Sequence, residues 1–258
     1  MARCITLPPE MVRAGRVCTF GAAEARGASA LLWGDSHALT VLPAFRELSA
    51  RRHLALYFAA TTACWPVLGG LDRTHEAGAQ DRCAAFNAAV VDFVQKVKPQ
   101  LVILGGHWND QHFAAAPALE VADPRLAFTV AMRHTVQRLR DAGAGAVCVV
   151  FDVPQLKYPG MHALLIAHRR GIRDDFLAVA RADALAPVQQ MEGDVRALAQ
   201  ASVLRFADPK AALCPGLTCL YKAGGRSLYV DQDHLSAAGA AYSAPALEAC
   251  FEPSDRAR

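Results

Sequence analysis

At 258 residues the chain can bury one sizeable α/β core, and less readily two small ones. It is 53% hydrophobic and 20% charged, which excludes wholesale disorder, and a net charge of +3 with no basic block interleaved with aromatics argues against nucleic acid. No apolar run approaches the ~20 residues that span a bilayer, and Met1 to Glu10 lacks the apolar stretch of a signal peptide.

Residues 1–29 read as loop, with Pro8-Pro9 and several glycines, and are expected to form an N-terminal extension packed on a domain running from 30 to 258. The apolar run Ala30 to Trp33 reads as a buried strand that Gly34 breaks. From His37, apolar residues at Leu39, Leu42, Phe45 and Leu48 predict a helix to Arg51-Arg52. Leu54 to Ala60 reads as a second strand, followed by Thr61-Thr62-Ala63-Cys64-Trp65-Pro66 and a glycine-rich loop. A helix over Cys83–Val97 leads through Pro99 into a third strand, Leu101 to Leu104, which ends in Gly105-Gly106-His107-Trp108-Asn109-Asp110. Leu126 to Ala142 is a predicted helix, Ala146 to Phe151 a fourth strand, and 161–200 mostly helical, with Arg169, Arg170 and Arg173 on a solvated face. A late strand around Val203–Phe206 precedes a cysteine loop, and Ser236 to Glu248 forms a last helix that Pro245 is expected to bend or interrupt.

Strands alternating with helices predict a mostly parallel sheet covered on both faces. Ligands in such sheets bind at the carboxyl ends of the strands. Ser36, Thr62, His107 to Asn109 and Pro154 all fall just past strand ends, so they are expected on one rim.

Eight cysteines need an explanation. Cys4/Cys18, Cys64/Cys83 and Cys214/Cys219 are local pairs in loop-like sequence without zinc-site spacing, so they read as disulfides formed in an oxidising compartment. Lacking a leader of its own, the chain is expected to reach that compartment within a longer exported protein. Cys148 lies in an apolar run and reads as a free core thiol; no role follows for Cys250. His53, His75, His112, His134, His162 and His168 show no metal-ligand spacing, so no metal is expected.

Two motifs carry the chemistry. Gly34-Asp35-Ser36-His37 sets Ser36 at a strand-to-helix turn beside free N–H groups, where Asp35 or Ser36 could equally serve as a cap. Asp231-Gln232-Asp233-His234 sets a carboxylate three residues before an imidazole. A serine becomes a nucleophile when a base takes its proton and a third group orients that base. Together the motifs assign Ser36 as nucleophile, His234 as general base and Asp231 as its orienting group, with Asp233 competing. The Ser36 N–H is one oxyanion donor by position; Asn109 is either a second or the cap of a turn.

Gly-Asp-Ser-His near the start and Asp-x-x-His-Leu-Ser near the end resemble the SGNH (GDSL-like) hydrolase superfamily. They are most similar to the SGNH domain fused behind acyltransferase-3 membrane domains in bacterial polysaccharide O-acetyltransferases. Cys64-x-Pro66, the Cys214/Cys219 loop and Trp108 add to the likeness, whereas the superfamily's glycine after the second strand and its Gly-x-Asn-Asp spacing after the third are not cleanly met. The resemblance implies a three-layer αβα, flavodoxin-like fold with a mostly parallel sheet and no cofactor. It also implies a periplasmic domain whose partner is an acyltransferase-3-type membrane domain of the same polypeptide, monomeric when isolated. Its reaction would pass an acyl group, expected to be acetyl, through an acyl-serine to a hydroxyl of a cell-envelope glycan. A carbohydrate acetylesterase would use the same triad with water, and a non-catalytic glycan-binding module would not need the triad at all. For either enzyme, Trp108 and Trp65 are candidates to stack on a sugar ring.

Overall fold

The computed structural model describes residues 4–21, 28–72, 76–115, 119–121, 123–201 and 203–252. Its organising layer is a six-stranded sheet. The strands are β1 (Cys18–Phe20), β2 (Ser29–Gly34), β3 (Ala55–Ala60), β4 (Leu101–Gly105), β5 (Ala146–Val150) and β6 (Arg205–Ala207). They lie in the order β1-β3-β2-β4-β5-β6, parallel throughout except for β1, which runs antiparallel to β3 at the edge. Between β2 and β4 the strand order reverses direction, and such a switch point opens a crevice at the carboxyl ends.

Alternation along the buried strands supplies two separate cores. Leu31, Trp33, Val102 and Leu104 face α3 (Ala77–Val97), α4 (Ala127–Asp141) and α7 (Gln189–Gln200). Ala30, Leu32, Phe58 and Ile103 face α2 (Ser36–Arg51) and α9 (Ala237–Leu247). The result is the mixed three-layer α/β architecture expected. The shorter helices are α1 (Pro9–Arg13), α5 (Gly160–Arg170), α6 (Arg181–Leu185) and α8 (Lys210–Leu213).

Several expectations shift. The first 29 residues are not simply loop: α1 buries Val12 in the core, and β1 extends the sheet. α3 starts at Ala77, six residues before Cys83, and α9 runs through Pro245 without a break. Cys4–Cys18, Cys64–Cys83 and Cys214–Cys219 are disulfides as expected. Cys148 is not a free thiol. The 3-10 turn Glu248–Phe251 after α9 packs against β5 and β6, bringing Cys250 to a Cα–Cα distance of 5.4 Å, and the two cysteines form a fourth disulfide. No helix among the described residues is long and apolar enough to cross a membrane.

Candidate active site

The turn after β2 is tight because two strand ends and a helix start converge there. A Cβ on Gly34 would stand 1.7 Å from the Gly105 carbonyl oxygen and 2.8 Å from Ala38 Cβ, so only glycine fits. Asp35 caps α2: its Oδ1 accepts from the His37 N–H at 2.8 Å, and its Oδ2 accepts from the His107 N–H at 2.8 Å. One buried carboxylate thus ties the ends of β2 and β4 together. Ser36 is the first residue of α2, so its N–H is among those a helix leaves without an internal partner.

From the other end of the chain, the loop before α9 brings His234 to this turn. Its Nε2 lies 2.9 Å from Ser36 Oγ. Its Nδ1 faces two carboxylates, Asp231 at 3.0 and 3.1 Å and Asp233 Oδ1 at 2.9 Å. Asp231 is also the loop's brace, accepting the backbone N–H groups of Asp233 and His234 on Oδ1 at 3.1 and 2.8 Å. With the ring proton on Nδ1, the Nε2 lone pair is free to receive the serine proton. The hydrogen bond to Asp233 raises the His234 pKa, while burial and the nearby His37 oppose the rise. The same bond lowers the Asp233 carboxyl to about 2.

Beneath this trio lies a second histidine–carboxylate pair. Buried His37 holds Asp152 Oδ1 at 2.8 Å through Nδ1, and that same oxygen accepts the Val153 N–H at 2.8 Å. Burial works against a charge on His37, but Asp152, with help from Asp35 and Asp233, outweighs it, and the pKa rises to about 9. The His37 ring stacks on His107 (centroids 4.6 Å apart, planes within 5°) and meets His234 at a centroid distance of 4.6 Å. Burial raises the carboxyl of Asp35 below them. A column of rings and carboxylates therefore runs from the sheet to the serine.

A family model for the SGNH domain fused to AT3 domains matches residues 3–249. The chain belongs to that family. Among solved structures, this SGNH domain is similar to the periplasmic domain of a lipopolysaccharide acetyltransferase from Salmonella ser. Paratyphi A. The two share 13% identity and a TM-score of 0.67 over 95% of this chain and 89% of the other. At that identity the likeness speaks for the fold. Curated protein sequences offer no match.

Not every predicted site residue joins the SGNH crevice. Trp108 and Trp65 are only 2% and 5% exposed. Trp108 donates its Nε1–H to the Val150 carbonyl at 2.8 Å and meets Phe128 edge-on, and Trp65 stacks on Phe113 with centroids 5.1 Å apart. The sugar-stacking expectation is therefore corrected: helix α4 and its neighbours cover the rings that the strand-end position suggested would be open. Asn109 takes the turn-capping alternative, its Oδ1 accepting the Gln111 N–H at 3.0 Å. Thr62 is exposed beside Thr6, with hydroxyls 3.5 Å apart.

Sequence reasoning missed His37 and Asp152 as parts of the site, and it placed His107 on the rim without giving it a role. His37 and His107 stood inside the quoted motifs, but nothing local links them to Asp152, 115 residues after His37. His37, His107 and Asp233 are close enough to be considered as metal ligands, as are Asp231, Asp233 and His234. The geometry fits poorly. Near-parallel stacked imidazoles aim their lone pairs along separate planes, and the single His234 Nδ1 is already shared by two carboxylates. His75 lies outside the described residues.

Proposed function

We propose that this SGNH domain works in the periplasm as the acyl-transferring part of a glycan O-acetyltransferase, moving an acetyl group through Ser36 to a hydroxyl of a cell-envelope glycan. The observation that carries the reading is the 2.9 Å contact between Ser36 Oγ and His234 Nε2, with carboxylates behind Nδ1. His234 accepts the Ser36 proton as Oγ attacks the acyl carbon. The negative charge passing to the carbonyl oxygen meets the Ser36 N–H at the start of α2, where the helix end also favours an anion. His234 then returns its proton to the departing donor oxygen or sulfur, leaving acyl-Ser36. In the second half a glycan hydroxyl gives its proton to His234 and attacks the acyl-serine, and Ser36 Oγ recovers that proton as it leaves. Asp231 fixes the loop and the ring together, and Asp233 shares the orienting role.

Membership of the family fused to AT3 domains supports a membrane-embedded partner that supplies the acyl group. The Salmonella neighbour, a lipopolysaccharide acetyltransferase periplasmic domain, supports a periplasmic setting and a saccharide acceptor, and four disulfides support the oxidising setting. The test is turnover of a chromogenic acetyl ester by the chain, with and without oligosaccharide acceptors. Ser36→Ala and His234→Ala should each remove nearly all turnover, and combining them should cost little more. A well-folded Ser36→Ala with undiminished rates would refute the nucleophile. Acetate release with no acetylated saccharide under any acceptor would make the chain an esterase instead.

A further inference from the structure

Helix α5 is a poor fit to a solvated surface. Of the ten large apolar side chains exposed among the described residues, six fall between residues 158 and 176: Tyr158, Met161, Leu165, Ile166, Ile172 and Phe176, each between 40 and 53% exposed. Only Gly160 and Ala167 of the helix are buried. Met161 and Leu165, one turn apart, share an outward line, and Ile166 flanks it. Phe176 meets the Tyr158 ring edge-on at 5.8 Å, so the loop after the helix closes the patch onto its start. Along α5 and its lead-in the charge has one sign, while Asp174 and Asp175 follow within the patch and half-exposed Asp231 lies against its start. From Val153 to Arg173 the chain carries Lys157, Arg169, Arg170 and Arg173 and no acidic residue. The first acidic residues beyond are engaged, Asp174 by Lys222 and Asp175 by Arg173.

We infer that this face docks on a lipid bilayer bearing anionic headgroups. Apolar side chains flanked by arginines on one exposed helix are the pattern that inserts shallowly while its cations meet lipid phosphates. Charge decides the occupant. A second copy on this face would gather the arginines of both copies into one self-complementary interface, and a glycan would leave the apolar side chains unmatched. An anionic leaflet satisfies both halves of the patch.

The face adjoins the reactive serine. The Gly160 N–H donates to the Asp231 carbonyl at 2.8 Å, and the Leu156 N–H donates to the Gln232 carbonyl at 2.7 Å. Seating α5 on a bilayer therefore holds the His234 loop, and Ser36 with it, next to the membrane surface. Docking needs neither residue to react, so the inference stands or falls apart from acyl transfer.

The 258-residue chain should sediment with vesicles of phosphatidylcholine and phosphatidylglycerol, and raising the salt should weaken this binding. Arg169→Gln with Arg170→Gln should weaken it about thirtyfold, since each cation near an anionic surface contributes roughly fivefold. Leu165→Ser with Ile166→Ser should weaken it by about tenfold or more. These side chains are exposed, and circular dichroism checks that the variants fold. No binding to the anionic vesicles at low salt would overturn the inference. So would equal binding by all three proteins, or salt-insensitive binding to phosphatidylcholine alone. Lipid-free dimerisation lost in the Leu165/Ile166 variant would assign the face to a second copy and overturn it too.

Discussion

Replacing His37 by glutamine is expected to remove a pH-dependent share of the fold's stability. His37 is buried against Asp152 at 2.8 Å, and its pKa rises from 6.5 to about 9. At ~1.36 kcal/mol for each tenfold in proton affinity, that gap corresponds to about 3 kcal/mol. Because the folded state binds the proton more tightly, the contribution is complete below about pH 6.5 and is lost as pH rises through about 9. Urea unfolding followed by circular dichroism, at intervals between about pH 6 and pH 10, measures it. Over that window the native chain should lose about 3 kcal/mol more than His37→Gln does, and taking the difference cancels the groups whose titration His37 does not influence. The acidic groups around His37 are Asp35, Asp152 and Asp233. Of these only Asp152 bonds the ring, so Asp152→Asn should flatten the same window. Parallel stability curves for the native chain and His37→Gln would refute a charged His37 beneath the site.

At the His234 loop, Asp233→Asn should lower the His234 pKa and shift the acidic limb of ester turnover to lower pH, whereas Asp231→Asn should also loosen the loop and cost more turnover; pH–rate profiles of the two variants separate them. Removing the Cys148–Cys250 bridge by paired alanines should cost up to about 4–5 kcal/mol by urea unfolding, because it closes a span of 102 residues. Removing Cys214–Cys219, which spans five, should cost clearly less. Trp108→Leu should cost about 3 kcal/mol in the same assay and leave the KM for a saccharide acceptor unchanged. Ala63 holds a φ of 55°, so Ala63→Gly should raise the melting point, by about 1 kcal/mol in stability.

Much of the frame was legible because it rests on short-range pattern. The run Leu101 to Leu104 is buried on both faces and reads as continuous apolar sequence. Gly34 interrupts the run before it because a Cβ there would strike Gly105. Asp231-x-x-His234 was equally readable, since a three-residue spacing lets one carboxylate hold both the ring and its backbone. What stayed hidden depends on contacts made only after the sheet assembles. Cys148 looks like a core thiol until the turn after α9 brings Cys250 onto β5. β1 is a three-residue edge strand, too short for its alternation to stand out from the loops around it.

The tryptophans and the arginines show the two directions in which local reading fails. Trp65 and Trp108 follow strand ends, where ligands gather, so their rings seemed free; Phe113 and Phe128, arriving from later sequence, cover them. Arg169 and Arg170 read correctly as solvated, yet the residues between them and Pro159 are not what a solvated face needs. In α5 the apolar Met161, Leu165 and Ile166 do not point at the core, because only Gly160 and Ala167 of the helix are fully buried and Ala163 and Leu164 half-buried. Periodicity reports that a helix has an apolar side and is silent about whether the protein itself supplies the cover. Where it does, as for α2 beneath α9, the stripe stabilises the fold. Where it does not, as for α5 beside Asp231, the same physics leaves surface whose burial needs something outside the chain.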